Sequence, residues 1–221
     1  MYKLRITYSK TRESIYLSHL DIMDVFEKSF RRANIDIEYT HGFSPKPDMV
    51  FAHPLSVGIE SIGEIFEVML KEKLDTKFVI KQLNIYLPKS ITILKAKYIN
   101  LKEKNIMSRV YAATYVISID YDTNLTVKEQ KELSLKYKSK LDEYLNQEHI
   151  LVLKISKNRN ERIDIKQNIL NYSFTFDNNL ELTLTTGSKC NLKPELFVNG
   201  FIEYIGIDLN YDIRREKILF K

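Results

Sequence analysis

The side chains of the first residues alternate. Leu4 and Ile6 fall on one face of Tyr2–Tyr8, with Lys3, Arg5 and Thr7 on the other, the period-two pattern of a half-buried strand. The period then lengthens. Ser18-His-Leu-Asp21 reads as a capping box: the Ser18 hydroxyl accepts from a first-turn amide, and Asp21, three residues on, reaches back to the Ser18 amide. Beyond it Ile22, Val25, Phe26, Ser29, Phe30 and Ala33 share one face, opposite Asp24, Glu27, Lys28 and Arg31, which predicts an amphipathic helix of about 16 residues. Asp36–Thr40 reads as a short strand. His41–Pro47 reads as a loop, because its two prolines force Ser44 and Lys46 toward extended geometry. Met49–Ala52 and Glu64–Leu70 are further strands, separated by Pro54, Gly58 and Gly63. A second helix over Thr76–Tyr86 stops before Pro88, and Ile91–Tyr98 is again a strand.

Strand, helix, strand, strand, helix, strand is the order of a split βαβ, or ferredoxin-like, unit. Leu101–Ser108 has no periodicity and reads as a linker. Past it the order recurs. Ala112–Ile119 is a strand, Thr126-Val-Lys-Glu129 is a second capping box opening a helix to about Leu145, and Ile150–Ile155 is a strand, so the second half holds one strand more than the first. Ile169–Phe176 and Leu180–Thr185 form a hairpin across Asp177–Asn179. Pro194 stands at a first helical position, and Ile213–Phe220 closes the chain as a strand. The expectation is an α+β protein of two tandem ferredoxin-like domains with antiparallel sheets, residues 1–104 and 105–221.

Composition narrows the chemistry. In 221 residues, 44% are hydrophobic and 29% charged, which is a folded globular balance. No apolar run approaches the ~20 residues of a membrane helix, and Met1-Tyr-Lys-Leu-Arg-Ile lacks the apolar stretch of a secretory signal. A cytoplasmic protein with no membrane partner is expected. The single cysteine, Cys190, excludes a disulfide framework, a zinc site built on several thiolates and a protein-held iron–sulfur cluster. The net charge of +5 tilts the partner toward polyanions. It is concentrated in residues 1–104, with 17 Lys and Arg against 13 Asp and Glu.

That first half also holds three of the four histidines, His19, His41 and His53, among Lys10, Arg12, Ser18, Asp21, Arg31, Arg32, Ser44 and Lys46. A metal site of His19, Asp21 and His41 lacks the spacing of known ligand motifs, so none is expected. Gly-rich phosphate loops, nucleophile elbows and dinucleotide fingerprints are missing too, and no cofactor is expected. Metal-independent RNA cleavage needs a proton-transfer group at the 2′-hydroxyl and cations beside the phosphorane. His19, His41, Lys10 and Lys46 can supply both, and so can any basic groove. The structural roles compete: Ser18 and Asp21 serve as caps, His41 before Gly42 serves a turn, His53 before Pro54 is a buried hydrogen-bonded histidine, and Arg31 and Arg32 decorate a wet helix face.

A set of motifs adds a resemblance. Tyr8-Ser-Lys10, Leu17-Ser-His-Leu-Asp21, Phe30-Arg-Arg-Ala33, Gly42-Phe-Ser-Pro-Lys-Pro47, Phe51-Ala-His-Pro-Leu-Ser-Val-Gly58 and Glu60-Ser61 together resemble the radical-SAM-associated, radical-SAM-linked domain family. Ile163–Lys166, Leu192–Pro194 and Ile213–Arg215 extend the match more thinly. The family pattern more often has Asn-Pro-His-Pro where this chain has Ser44-Pro-Lys46-Pro, and a lysine there still suits an anion contact. The resemblance implies a protein that stands alone or follows a radical-SAM protein, encoded near RNA-processing and ribosomal-protein genes. By fold analogy, tandem ferredoxin-like domains are also similar to CRISPR repeat-processing endoribonucleases.

The resulting expectation is an accessory RNA-binding protein that presents tRNA or rRNA to a separate radical-SAM enzyme. Lys10, Arg12, Arg31, Arg32 and Lys46 would meet the phosphates, Tyr8, Tyr39 and Phe43 would stack on bases, and His19, His41 and Ser44 complete the expected RNA-binding set. One alternative is a metal-independent endoribonuclease using His19 and His41, and another is a docking module for a radical-SAM partner in trans. All require the polar residues from Lys10 to Lys46 to gather in one electropositive hollow.

Overall fold

The computed structural model describes residues 1–120, 125–155, 160–175, 179–188 and 190–221. It is an α+β protein with mostly antiparallel sheets and, among the described residues, five α-helices. The chain forms two compact units, Met1–Val110 with Arg215–Lys221, and Tyr111–Arg214. No described helix is long and apolar enough to cross a membrane.

In the first unit, β1 (Tyr2–Lys10) lies between β4 (Ile91–Tyr98) and β3 (Glu60–Leu70), antiparallel to both, and β2 (Met49–Phe51) pairs with β3. Helices α1 (His19–Arg32) and α2 (Thr76–Tyr86) pack on the face that carries Leu4, Ile6, Tyr8, Phe66, Val68 and Leu70, closing a core around Phe26, Phe30, Val79 and Leu83. The cap of α1 is formed as expected: Asp21 N donates to Ser18 Oγ at 3.3 Å and Ser18 N donates to Asp21 Oδ2 at 2.9 Å. Asp75 caps α2, accepting from Lys77 N and Phe78 N.

Three local expectations are corrected. Asp36–Thr40 is no strand; it makes isolated bridges, Ile37 to Leu70 and Tyr39 to Pro47, because it divides its pairing between β3 and the neighbouring 46–48 segment, Glu38 N donating to the Met69 carbonyl and Asp48 N to the Glu38 carbonyl. Gly63 does not separate strands but lies inside β3. Register against β1 shifts between Tyr8–Glu64 and Lys10–Ser61, so β3 carries an extra residue there, a bulge of the kind glycine marks. The 101–108 segment is no free linker. It contains the short helix α3 (Ile106–Arg109), and Glu103 joins Arg5 and Arg109 at 2.9 and 3.1 Å. Arg5 also pairs with Glu67 at 2.6 Å and Lys3 with Glu67 at 2.8 Å.

The second unit is built likewise from β5 (Val110–Ile119), α4 (Val127–Leu145), β6 (Leu151–Ile155), β7 (Asn160–Asp164), β8 (Ile169–Phe174), β9 (Asn179–Thr185), α5 (Pro194–Ile205) and the opening residues of β10 (Tyr211–Phe220). β9 lies between β5 and β8, antiparallel to both. The Thr126–Glu129 capping box and Pro194 at the start of α5 are both present. β7, which sequence reading does not anticipate, pairs with β6 as a separate hairpin. Asp177 and Asn178, within the anticipated β8–β9 turn, lie outside the described residues.

Candidate functional site

β1 keeps its alternation to its last residue, and that carries Lys10 inward. Leu4, Ile6, Tyr8 and Lys10 share the buried parity, and Lys10 is 2% exposed, so it is not the surface cation expected. Its Nζ donates to the Leu17 carbonyl at 2.8 Å. On β3, Glu64 is in phase with Phe66, Val68 and Leu70 and pairs with Tyr8 across the strands. Arg215, the first residue of the segment that returns to this unit, closes the cluster. Its Nε donates to Glu64 Oε1 at 2.7 Å, and its Nη2 donates to Glu64 Oε2 and, at 2.9 Å, to the His53 carbonyl.

His19, the first residue of α1, stands half-buried with its ring edge-on to Phe51, centroids 5.0 Å apart. Tyr8, Lys10, His19, Phe51, His53 and Glu64 border a cavity of about 10 Å³, which is room for about one water molecule. Tyr8 is 3% exposed and packs edge-to-face on Phe26 and Phe66, so it is no base-stacking platform. Burial pushes the Lys10 ammonium below its ordinary value, with Glu64 opposing. Burial likewise lowers His19, again against Glu64, leaving a neutral imidazole at neutral pH. The Tyr8 phenol is pushed well up, by burial first and Glu64 second, so it remains an O–H donor.

The other candidates stand elsewhere. Thr40 N donates to the Lys46 carbonyl at 2.8 Å and Lys46 N donates to Thr40 Oγ1 at 3.0 Å, and with the Tyr39–Pro47 bridge these bonds close a loop. Gly42 turns it with φ +133, a conformation that favours glycine. His41, Phe43, Ser44 and Lys46 are all exposed on this loop, and the Phe43 ring is as exposed as in an extended chain, 112%. At its base Tyr39 Oη donates to Glu27 Oε1 at 3.1 Å, and the charge of Arg31 acts on the same phenol. Arg31 and Arg32 are exposed in the last turn of α1. Arg12 belongs to neither group; it is exposed at φ 50, its amide held by Glu60 Oε1 at 3.1 Å.

The expected single hollow therefore becomes two places. His19 and Arg31 sit twelve residues apart on one helix, about 18 Å at its rise per residue, and the parity of β1 buries Lys10, which borders one cavity with His19. Among the described residues, the cavity that His19 borders is not lined by His41. Glu64 and Arg215 are not among the sequence's site candidates, Arg215 entering only through the thin Ile213–Arg215 match, although each stands in phase with buried neighbours, Glu64 with Phe66 and Arg215 with Ile213. An ionisable residue on a core parity was the available signal. Among the described residues no group of three or more His, Cys, Asp or Glu side chains is placed to hold a metal ion.

Residues 3–194 match the model of a family described as "Uncharacterized protein conserved in bacteria (DUF2344)". The chain belongs to this family. The family span takes in both groups of first-unit candidates, from Lys10 to Glu64, and ends before Arg215. No curated protein matches the chain.

Proposed function

We propose that the protein is an accessory RNA-binding protein that holds tRNA or rRNA for a separate radical-SAM enzyme, with the loop around Phe43 as its contact surface. The observation that carries this reading is the Phe43 ring, fully in solvent at 112% exposure, on a loop that also exposes His41, Ser44 and Lys46 and follows Tyr39, whose phenol feels the charge of Arg31. An apolar ring held in water without packing costs free energy unless something covers it. A free ring with a lysine on its own loop suits stacking on an unpaired base while the cation meets a phosphate. Lys10, Tyr8 and His19 drop out of this surface. The radical-SAM partner rests on the motif resemblance and on a single cysteine, which leaves any cluster chemistry to another chain.

Strand order supports the fold half of the proposal. The first unit runs β4-β1-β3 with β2 beyond β3, and the second runs β10-β5-β9-β8. Each thus places its first and third strands centrally, as a split βαβ unit does. On this reading the β6–β7 hairpin is an insertion in a second ferredoxin-like domain.

Filter binding of the full chain to total tRNA and to rRNA fragments, across a salt series, tests the function. Affinity should fall steeply with salt, by the release of counterions from a few neutralised phosphates, and should weaken with Lys46→Ala and Arg31→Ala. No affinity for either RNA, or affinity that ignores salt, overturns the proposal. Co-purification of a radical-SAM protein that survives nuclease treatment, with no RNA bound, would point instead to a protein-docking module.

A further inference from the structure

The helices α1 and α2 cover only one face of the first unit's sheet. On the other, Ile106 of α3 and Ile218 and Phe220 of β10 cluster with Val50 of β2 and Ile65 of β3, while the β1–β4 part carries polar side chains. Alternation along β1 sets Arg5, Thr7 and Ser9 on that face, and pairing sets Lys97 opposite Arg5, Lys95 opposite Thr7 and Thr92 opposite Ser9. Thr92, Lys95 and Lys97 are exposed.

A bulge puts the two lysines there. Ile91 and Ile93 are buried, and unbroken alternation would send Lys95 and Lys97 into the core after them. The register against β1 shifts between Thr7–Lys95 and Tyr8–Ile93, which gives β4 one extra residue, Leu94. Ala96 and Tyr98 therefore pack on the core, and both lysines reach the open face. Bulges re-aim side chains in this way.

The charges on this face do not cancel. Glu67 pairs with Lys3 and Arg5, and Glu103 with Arg5 and Arg109, so both carboxylates are already shared among three cations. Lys95 and Lys97 have no ion pair among the described residues, and Lys102 and Lys104 are exposed on either side of Glu103. The next acid, Asp48, stands beyond Glu67 on the β2 side. Lys97 directly opposite Arg5 is a like-charge pair, which costs stability in the free protein. Lysines that only guard a strand edge against pairing call for no guanidinium opposite them.

We infer that this open face is a second contact surface for the RNA of the proposed function, on which the inference rests. Lys95 and Lys97, two residues and about 6.6 Å apart along the strand, meet neighbouring phosphates of an unpaired segment, and the Thr7, Ser9 and Thr92 hydroxyls donate to its backbone oxygens. Contacts of this kind hold the strand without reading its sequence.

Fluorescence anisotropy of a labelled oligouridylate, titrated with the full chain across a salt series, tests it. Lys95→Gln with Lys97→Gln should lower the slope of log affinity against log salt by about 1.4, two phosphates at about 0.7 each on a single strand. The thermal midpoint should hold or rise, because the repulsion at Arg5 is relieved. Lys128→Gln with Lys131→Gln, on exposed positions of α4, removes the same net charge and should leave the slope unchanged. A slope that the β4 pair leaves intact, or that the α4 pair lowers equally, overturns the inference. Failure of the parent to bind the oligouridylate overturns it too, and if tRNA is bound all the same the proposed function stands without it. A loss confined to the β4 pair, with Lys46→Ala silent, supports the sheet face and removes the Phe43 loop as the contact.

Discussion

Arg215 and Glu64 lie 151 residues apart in the chain and meet as a buried pair, their side chains 1% and 4% exposed. The guanidinium fork matches the two carboxylate oxygens, and it ties the returning segment to β3 within the first unit. A buried pair of this kind is costly to break and inexpensive to replace. Glu64→Leu or Arg215→Met alone strands one charge in the core and should cost about 3–5 kcal/mol. Glu64→Leu combined with Arg215→Met should cost much less than the two single changes added together. Urea unfolding of the four proteins in the cycle measures the coupling, and additivity would show that the pair is energetically idle.

Next to this pair, backbone meets backbone. A Cβ on Gly63 would lie 2.2 Å from the Glu216 carbonyl oxygen and 3.0 Å from Lys217 Cα. No side chain can swing aside to relieve that, so Gly63→Ala must push the returning segment off the β3 bulge. A loss of about 1–3 kcal/mol is expected, with faster amide exchange over 215–220. Gly58 is the control: at φ +88 with nothing within 4 Å, its change to alanine carries backbone strain alone, about 1 kcal/mol, and should leave that exchange unaltered.

What the sequence made legible was local. Ser18 with Asp21, Thr126 with Glu129 and Pro194 all act within one helical turn, and each is where the pattern puts it. The helix Thr76–Tyr86 and the strand Ile91–Tyr98 match residue for residue. Tertiary facts were hidden. Gly63 looked like a break because its partner, Glu216, is remote in sequence. Lys10 looked like a surface cation because it is a lysine, though its parity with Leu4, Ile6 and Tyr8 already placed it inside. Arg215 and Glu64 account for each other only once the chain has folded back. The candidate cluster divided because proximity in sequence, from Lys10 to Lys46, spans a whole helix and both of its ends.

Phe43 separates stability from binding. At 112% exposure its ring packs on nothing, so Phe43→Ala should leave unfolding within about 0.5 kcal/mol of the parent. RNA affinity should nevertheless fall by about 1–3 kcal/mol, the worth of one stacked base. The contrast is readable in two measurements, a thermal melt and a fixed-salt binding curve. Unchanged affinity would remove the ring from the contact surface. A large loss of stability would mean that the loop packs where the structure leaves it open.

Acid should weaken the second unit through Asp164, at the end of β7. Its Oδ1 accepts from Ile150 N and Lys166 N, each at 3.0 Å, and its Oδ2 meets His149 Nδ1 at 2.7 Å. The Lys166 amide foremost, then the His149 ring and the Ile150 amide, hold its carboxyl down at about 2, against 3.8 for the free group. A folded value below the unfolded one means that the unfolded chain takes up the proton first. The contribution of Asp164 is therefore complete above about pH 4, and it fades as pH falls from about 4 toward 2. Asp164→Asn keeps an acceptor for the two amides and cannot titrate. The urea midpoint of the variant should lie below that of the parent at pH 7, and the gap should narrow at pH 2.5. A gap that holds constant between those pH values would mean that the three hydrogen bonds do not favour the charged form.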